Sequence, residues 1–379
     1  MKKYVLALVT ALVMLFSVSA AAQAFSVEAE SSILIDASTG RILYQDNAHE
    51  KLAVASLTKV MTCLVALEHT DNLKQLVTLP DDFVNVGESN ISLEAGDTYS
   101  MEDLLYALML RSANDAAQAI AIGVAGSEAA FVDMMNAKTE ELGLTESHWA
   151  NPHGLDAEDH YSSAHDMAMI TAAAWKEPFF RTLVATETWN MAWKDGTTLS
   201  LTSHNQLLTL YDGANGVKTG YTSKAGNCLI GSAERDGLQL ISVVLNCETH
   251  YESTAAMLDF GFQNYRAVSF GEAGQIITTI RVINGRDDRL NVVLAEDANI
   301  TVKADSDYTP EPTYEYEKSI PAPVAAGTQV GTATYIDEKG NKLVIPLVTQ
   351  TGTEKYTFGT VWAEVWHEFI HVLLGKATK

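Results

Sequence analysis

Apolar and polar positions change period several times along the chain. Ser32-Ile33-Leu34-Ile35-Asp36 and Arg41-Ile42-Leu43-Tyr44 flank the turn residues Ala37-Ser38-Thr39-Gly40 and predict strand, turn, strand. Val60, Cys63, Leu64 and Leu67 then recur at helical spacing. They predict a helix beginning at Ser56, where a serine suits the cap because the first backbone N–H groups lack partners. Further helices are predicted over 101–110, 115–124, 127–142 and 165–175, with Gly123, Gly126 and Gly143 as punctuation. After the turn cluster Asp212-Gly213-Ala214-Asn215-Gly216 the period returns to strands at 217–222, 228–234 and 238–247. Arg235-Asp236-Gly237 joins the last two as a hairpin, and a helix at 252–262 closes the unit. Strands at both ends of this stretch bracket a helical middle, an α+β pattern with an antiparallel sheet and a helical subdomain over 25–265.

Beyond it the runs are short and β-rich: 276–283, 290–294, 300–304, 330–336 and 343–347, separated by Gly, Pro and Asp. They predict a small all-β domain over 266–355, read as a spacer or binding platform. The tail, 356–379, changes again. Phe358, Val361, Trp362, Val365, Trp366, Phe369, Ile370, Leu373 and Leu374 share one helical face, and Glu364, His367, Glu368 and His371 take the other. This amphipathic helix is too short and too charged to span a bilayer. It suits a helix lying in a membrane surface, with two tryptophans at headgroup depth; packing on a domain or partner is the competing reading.

The first 24 residues run Met1-Lys2-Lys3, an apolar core, then Ala22-Gln23-Ala24, and predict a secretory signal peptide cut after Ala24. Loss of Lys2 and Lys3 takes the formal charge from −23 to −25. That acidity excludes a nucleic-acid partner, which requires basic patches. Cys63, Cys228 and Cys247 are odd in number and set in apolar runs. They read as buried free thiols rather than a disulfide framework.

The candidate chemistry is a set of three short motifs. Ser56-Leu57-Thr58-Lys59 puts a hydroxyl and an amine one helical turn apart, a possible nucleophile and base, although taken alone it reads as a capped core helix with a solvated lysine. Ser112-Ala113-Asn114 follows a predicted helix, and Lys218-Thr219-Gly220 follows a turn on a predicted strand. Together, in this order, they are the Ser-x-x-Lys, Ser-x-Asn and Lys-Thr-Gly set of serine β-lactamases and penicillin-binding proteins. His367-Glu368-Phe369-Ile370-His371 matches a zinc-protease motif. No third ligand or cleft is arranged around it, so it reads as coincidence and no metal or cofactor is expected.

From about Ser31 to Tyr265 the chain resembles the secreted serine-type D-alanyl-D-alanine carboxypeptidases, the low-molecular-mass penicillin-binding proteins. The likeness includes Asp36-Ala37-Ser38-Thr39-Gly40, Asn151-Pro152-His153-Gly154-Leu155, Ser163-Ala164-His165-Asp166 and Gly216-Val217-Lys218-Thr219-Gly220-Tyr221-Thr222. It implies a β-lactamase/transpeptidase-like fold acting on the peptidoglycan stem peptide, covalent binding of β-lactam antibiotics, and a location on the outer face of the cytoplasmic membrane. It also implies Ser56 as nucleophile, Lys59 as base and Ser112 as proton relay. Asn114 would hold a substrate amide, Thr219 the terminal carboxylate with Lys218 beside it, and the N–H groups of Ser56 and Tyr221 the oxyanion. Gly220 belongs to the same substrate-binding strand, and Lys218, as a second cation, would with burial help to keep Lys59 neutral.

Where some relatives carry an arginine supporting that carboxylate, this chain has His250, a weaker and pH-dependent cation. The nearest rival is a serine β-lactamase, which needs a glutamate for deacylation; Glu158 and Asp159 are on offer in 150–161. A non-catalytic wall-binding or penicillin-sensing protein is the rival from another class, and the intact set Ser56, Lys59, Ser112 and Lys218 argues against it.

Overall fold

The structure, a computed structural model, describes residues 25–373. The predicted signal peptide, 1–24, lies outside the described residues, as does the end of the tail from 374. Strands β1 (Ser31–Asp36) and β2 (Ile42–Asp46) open the first unit, and β3 (Ala214–Thr222), β4 (Gly226–Arg235) and β5 (Leu238–Leu245) come near its end. Between them lie α1 (Thr58–Glu68), α2 (Met101–Leu110), α3 (Asn114–Ala125), α4 (Glu128–Glu141), α5 (Ala164–Trp175) and α6 (Pro178–Ala185); α7 (His250–Asn264) follows β5.

The five strands form one antiparallel sheet in the order β2-β1-β5-β4-β3. β1 is buried throughout because both faces of this sheet are covered. Ile33 and Ile35 join Ile230, Ile241 and Val243 on the face toward the helical core. Leu34, one residue out of phase, meets Leu229, Leu240, Val244 and Met257 of α7 on the other. β3 is the outer strand, so its far edge carries backbone N–H and C=O groups without a strand partner.

The pattern predicted a single apolar face for α1. Instead Thr58 through Ala66 is buried, because α2, α3, α4 and α5 surround the helix. Helix starts follow the local chemistry: Ser100, Ser127 and Ser163 each accept a backbone N–H three residues on. Two hairpins escaped the pattern, Leu76–Thr78 with Thr98–Ser100 and Thr188–Ala192 with Thr198–Thr202. Their strands are three to five residues long and mostly exposed, too short to show a period.

The second part is all-β. Tyr265–Ser269 pairs with Asn299–Lys303, and a six-stranded sheet carries the rest. Its own core includes Ile280, Val292, Leu294, Val330, Tyr335, Ile345 and Leu347. Thr313–Tyr316, fully exposed, and Ser319–Pro321 are edge strands that the hydrophobic pattern could not mark. Buried Arg41 joins the two parts: it donates to Thr301 O at 2.7 Å, pairs with Asp337 at 3.2 Å and Glu338 at 2.9 Å, and lies over the Tyr265 ring. Arg41→Ala takes the cation from buried Asp337, which keeps hydrogen bonds from Lys339 N and from Asn341, and urea unfolding should show a loss of about 3 kcal/mol. A cleft of about 370 Å³ lies beside this junction, lined among others by Asp36, Gln239 and Pro346; none of the sequence-predicted site residues lines it.

The tail forms a helix over Phe358–Leu373. Phe358, Trp362, Val365, Trp366, Phe369 and Ile370 are exposed on it. No described helix is long and apolar enough to cross a membrane.

Candidate active site

Ser56 is not a helix cap. Ala55–Leu57 forms one 3₁₀ turn, α1 begins at Thr58, and no side chain caps it. The turn is forced: Ala55 holds φ 48°, a conformation costly for a residue with a Cβ. Several contacts hold it there. Thr58 Oγ1 donates to Ala55 O at 2.8 Å. His160 Nδ1 accepts the Ala150 N–H at 3.1 Å, which leaves the proton on Nε2, 2.9 Å from Thr58 Oγ1. Gly154, at φ 92°, lies against the Ala55 carbonyl, and a Cβ there would overlap it. Freed from capping, the half-buried Ser56 hydroxyl faces Lys59 Nζ at 2.9 Å.

Lys59 is completely buried. Its amine also donates to Asn114 Oδ1 at 2.8 Å and to His153 O at 2.5 Å. Burial pushes its pKa well below the ordinary lysine value and the Lys218 charge adds to that, while Glu88 and Asp115 oppose it. Lys218, on β3, is buried in turn, donates to Thr219 O at 2.8 Å, and is pushed down to about 7 by desolvation. Burial thus outranks the neighbouring cation as the reason Lys59 tends to neutrality.

Ser112, buried at φ 57°, sits on the turn between α2 and α3. The direct contacts of Lys59 run to Ser56, Asn114 and His153 rather than to Ser112. Asn114 is occupied at both ends, since its Nδ2 donates to Gly87 O at 3.1 Å. Gly220 lies on the Ser56 turn: a Cβ there would come 3.2 Å from Ser56 N and 3.1 Å from Val54 O, so only glycine lets β3 approach so closely. Thr219 is half-buried and Tyr221 is exposed beside it. His250 opens α7 with its ring on Tyr251 at 4.4 Å, and its Nδ1 is buried without a partner. Glu158 and Asp159 are both exposed.

Three supports went unnoticed in the sequence. His153 contributes its carbonyl, a role that the segment Asn151-Pro152-His153-Gly154-Leu155 did not specify although it carried the family likeness. His160 acts two contacts away from Ser56. Asp115, buried beside Asn114, accepts N–H groups from Ile91 and Leu93 and the Asn85 side chain, and so pins the loop that carries Gly87 and Glu88. The adjacency of Asp115 to the Ser112-Ala113-Asn114 motif was the one available signal.

The two histidines make stability pH-dependent. Burial is the first cause in both, holding His153 near 3 and His160 near 4. The unfolded chain therefore binds protons that the folded chain refuses. Stability is complete above about 6.5 and falls as the pH drops toward 4, by about 1.4 kcal/mol per pH unit for each histidine. Urea unfolding between pH 7 and 4 should show this, with a shallower slope in His160→Gln.

Comparison with known proteins agrees with this geometry. The family profile described as D-alanyl-D-alanine carboxypeptidase matches residues 17–249, and that of the penicillin-binding protein 5 C-terminal domain matches 265–355. The D-alanyl-D-alanine carboxypeptidase DacF of Bacillus subtilis is 34% identical over 313 residues, 80% of each chain. DacC of Escherichia coli is 31% identical over 372 residues, covering 93% of this chain and 92% of that one. Penicillin-binding protein 5 of Haemophilus influenzae superposes with TM-score 0.63 at 28% identity, over 87% of this chain and 99% of the other. PBP3 of Streptococcus pneumoniae, a peptidoglycan synthesis regulatory factor, gives 0.66 at 28% identity, over 87% and 100%. With the sequence, the fold and these likenesses in agreement along nearly the whole chain, the protein belongs to the D-alanyl-D-alanine carboxypeptidases of the penicillin-binding protein family.

Proposed function

We propose that this chain removes the terminal D-alanine from peptidoglycan stem peptides through an acyl-enzyme on Ser56, and that β-lactams acylate the same hydroxyl. The observation that carries this reading is the 2.9 Å contact between Ser56 Oγ and a wholly buried amine held down toward neutrality. Ser56 Oγ attacks the carbonyl between the two D-alanines and passes its proton to Lys59 Nζ. The N–H groups of Ser56 and Tyr221 hold the developing oxyanion; losing one such donor typically costs about 3–4 kcal/mol. Ser112 relays a proton to the leaving amine, D-alanine departs, and water releases the shortened peptide. The open edge of β3 receives the peptide, with Lys218, Thr219 and Gly220 at the terminal carboxylate. Asn114 first orients Lys59; its second Nδ2 hydrogen, beyond the one given to Gly87 O, is left for a substrate carbonyl.

The exposure of Glu158 and Asp159 favours this reading over a β-lactamase, whose deacylating glutamate must be held against the acyl-enzyme. The test is intact mass after benzylpenicillin, beside D-alanine release from a peptide ending in D-Ala-D-Ala. A slowly lost penicilloyl adduct and one D-alanine per peptide are expected. Rapid penicillin turnover without D-alanine release would defeat it.

The reading extends to location: secretion after Ala24, then retention on the outer face of the cytoplasmic membrane by the tail helix. Phe358, Trp362, Val365, Trp366 and Phe369 expose a continuous apolar stripe. Inserting each large side chain contributes at most ~1.5–3 kcal/mol, enough for several to hold the protein at an interface. Truncation after Tyr356 should move the protein from the membrane to the soluble fraction, and unchanged fractionation would count against the anchor.

A further inference from the structure

None of the residues assigned to the reaction belongs to a second cluster, built from His49, Glu146 and His165. Each offers one ligand atom, and these lie within 4.8 Å of one another. His49 Nδ1 is 3.0 and 3.1 Å from the two Glu146 oxygens, and His165 Nδ1 is 3.8 Å from Glu146 Oε2. In a tetrahedral site with metal–ligand bonds of about 2.0–2.1 Å, ligand atoms stand about 3.3–3.4 Å apart. The observed separations bracket that value, so small side-chain shifts would place a cation among them.

The surroundings suit a metal as well. The two imidazoles face each other with centroids 4.6 Å apart and planes 33° from parallel. Glu146 is oriented by its neighbours: Ser163 Oγ donates to its Oε2 at 2.8 Å, and its own N–H donates to buried Asp166 at 2.9 Å. Asp166 Oδ1 lies 3.0 Å from His165 Nδ1, a contact whose proton a metal on Nδ1 would replace. His49 is half-exposed, so its ring can adjust and a water can complete the coordination. Nitrogen and carboxylate ligands in this number suit zinc better than the hard, oxygen-seeking cations.

We propose that His49, Glu146 and His165 bind one zinc-class divalent cation. The site would cross-link two segments that both lead to Ser56. His49 precedes the Ser56 turn, and Leu52 in the same segment pairs with Ser162 through bonds of 2.8 and 3.0 Å. Glu146 and His165 flank the loop that supplies His153 and His160. The metal would be a structural clamp outside the reaction, stabilising the folded state by mass action.

The test is calorimetric titration of the metal-free mature chain, residues 25–379, with zinc chloride, accompanied by thermal melting. One zinc per chain and a higher melting temperature are expected. His49→Ala, at a half-exposed position, should stay folded, weaken binding at least tenfold and lose the thermal shift. Glu146→Gln should weaken binding similarly. The double variant His367→Ala/His371→Ala should bind as the parent does. The proposal is overturned if no zinc binds at tens of micromolar, if His49→Ala binds within twofold of the parent, or if binding disappears with the tail histidines instead. Magnesium and calcium should not compete at millimolar concentration, and displacement of zinc by either would also overturn the assignment.

Discussion

Ser56→Ala should abolish both D-alanine release and the penicilloyl adduct, with the turnover rate falling by a factor on the order of 10⁴ or more. The substitution removes one oxygen from a half-buried turn whose backbone is held by other groups. Thr58 fixes the Ala55 carbonyl, His160 fixes Thr58, and Gly154 and Gly220 press on the same turn. Since Ser56 caps nothing, α1 loses no stabilising bond beyond the one its hydroxyl accepts from Lys59. The melting temperature should therefore change little while the chemistry disappears. D-alanine release by Ser56→Ala at a tenth of the parent rate would remove Ser56 from the mechanism.

Lys59→Arg is the second large effect. Arginine keeps the positive charge and the donors but stays protonated at any working pH, so it cannot take the Ser56 proton. Acylation by penicillin should slow by a factor on the order of 10³ at neutral pH, the scale of a lost general base. In the parent, acylation should rise with pH as Lys59 deprotonates and then level off. The direction follows from the burial that lowers Lys59, with Lys218 second. The arginine variant should lack that rise. If it acylates within tenfold of the parent, or keeps the same pH limb, Lys59 is not the base. Thermal melting separates this from a packing failure, because the larger head must fit among Ser56, Asn114 and the His153 carbonyl.

Much of the fold was legible because each long element carries its own signal. The helices at 101–110 and 127–142 are apolar-periodic runs with serine starts, the second also closed by Gly143, and the structure bounds both within one residue of the predicted limits. β1 and β5 carry apolar residues on successive positions at their centres, as strands covered on both faces do. The hairpin strand Thr188–Ala192 went unread because its inward Trp189 and Met191 alternate over only five residues, and the edge strand Thr313–Tyr316 because it is exposed along its length. Ser56 was singled out for a local reason that the structure overturns. Its serine suggested a cap, whereas the positive φ of Ala55 detaches the turn from the helix.

The sequence by itself determined the two-part organisation, the three motifs and their order, and hence the family. Those are statements about residue types and spacing, and spacing survives without coordinates. Only the tertiary structure decided how the motifs act on one another. It brought the carbonyl of His153 to Lys59 across 94 positions of chain. It made burial, rather than Lys218 alone, the main force on the lysine, and it engaged both ends of Asn114 inside the protein. It also gathered His49, Glu146 and His165, which no motif links; of the tail's His-Glu-x-x-His, the His371 side chain lies outside the described residues. Backbone carbonyls and desolvation carry no letter in the sequence, and they exist only once distant segments exclude water together.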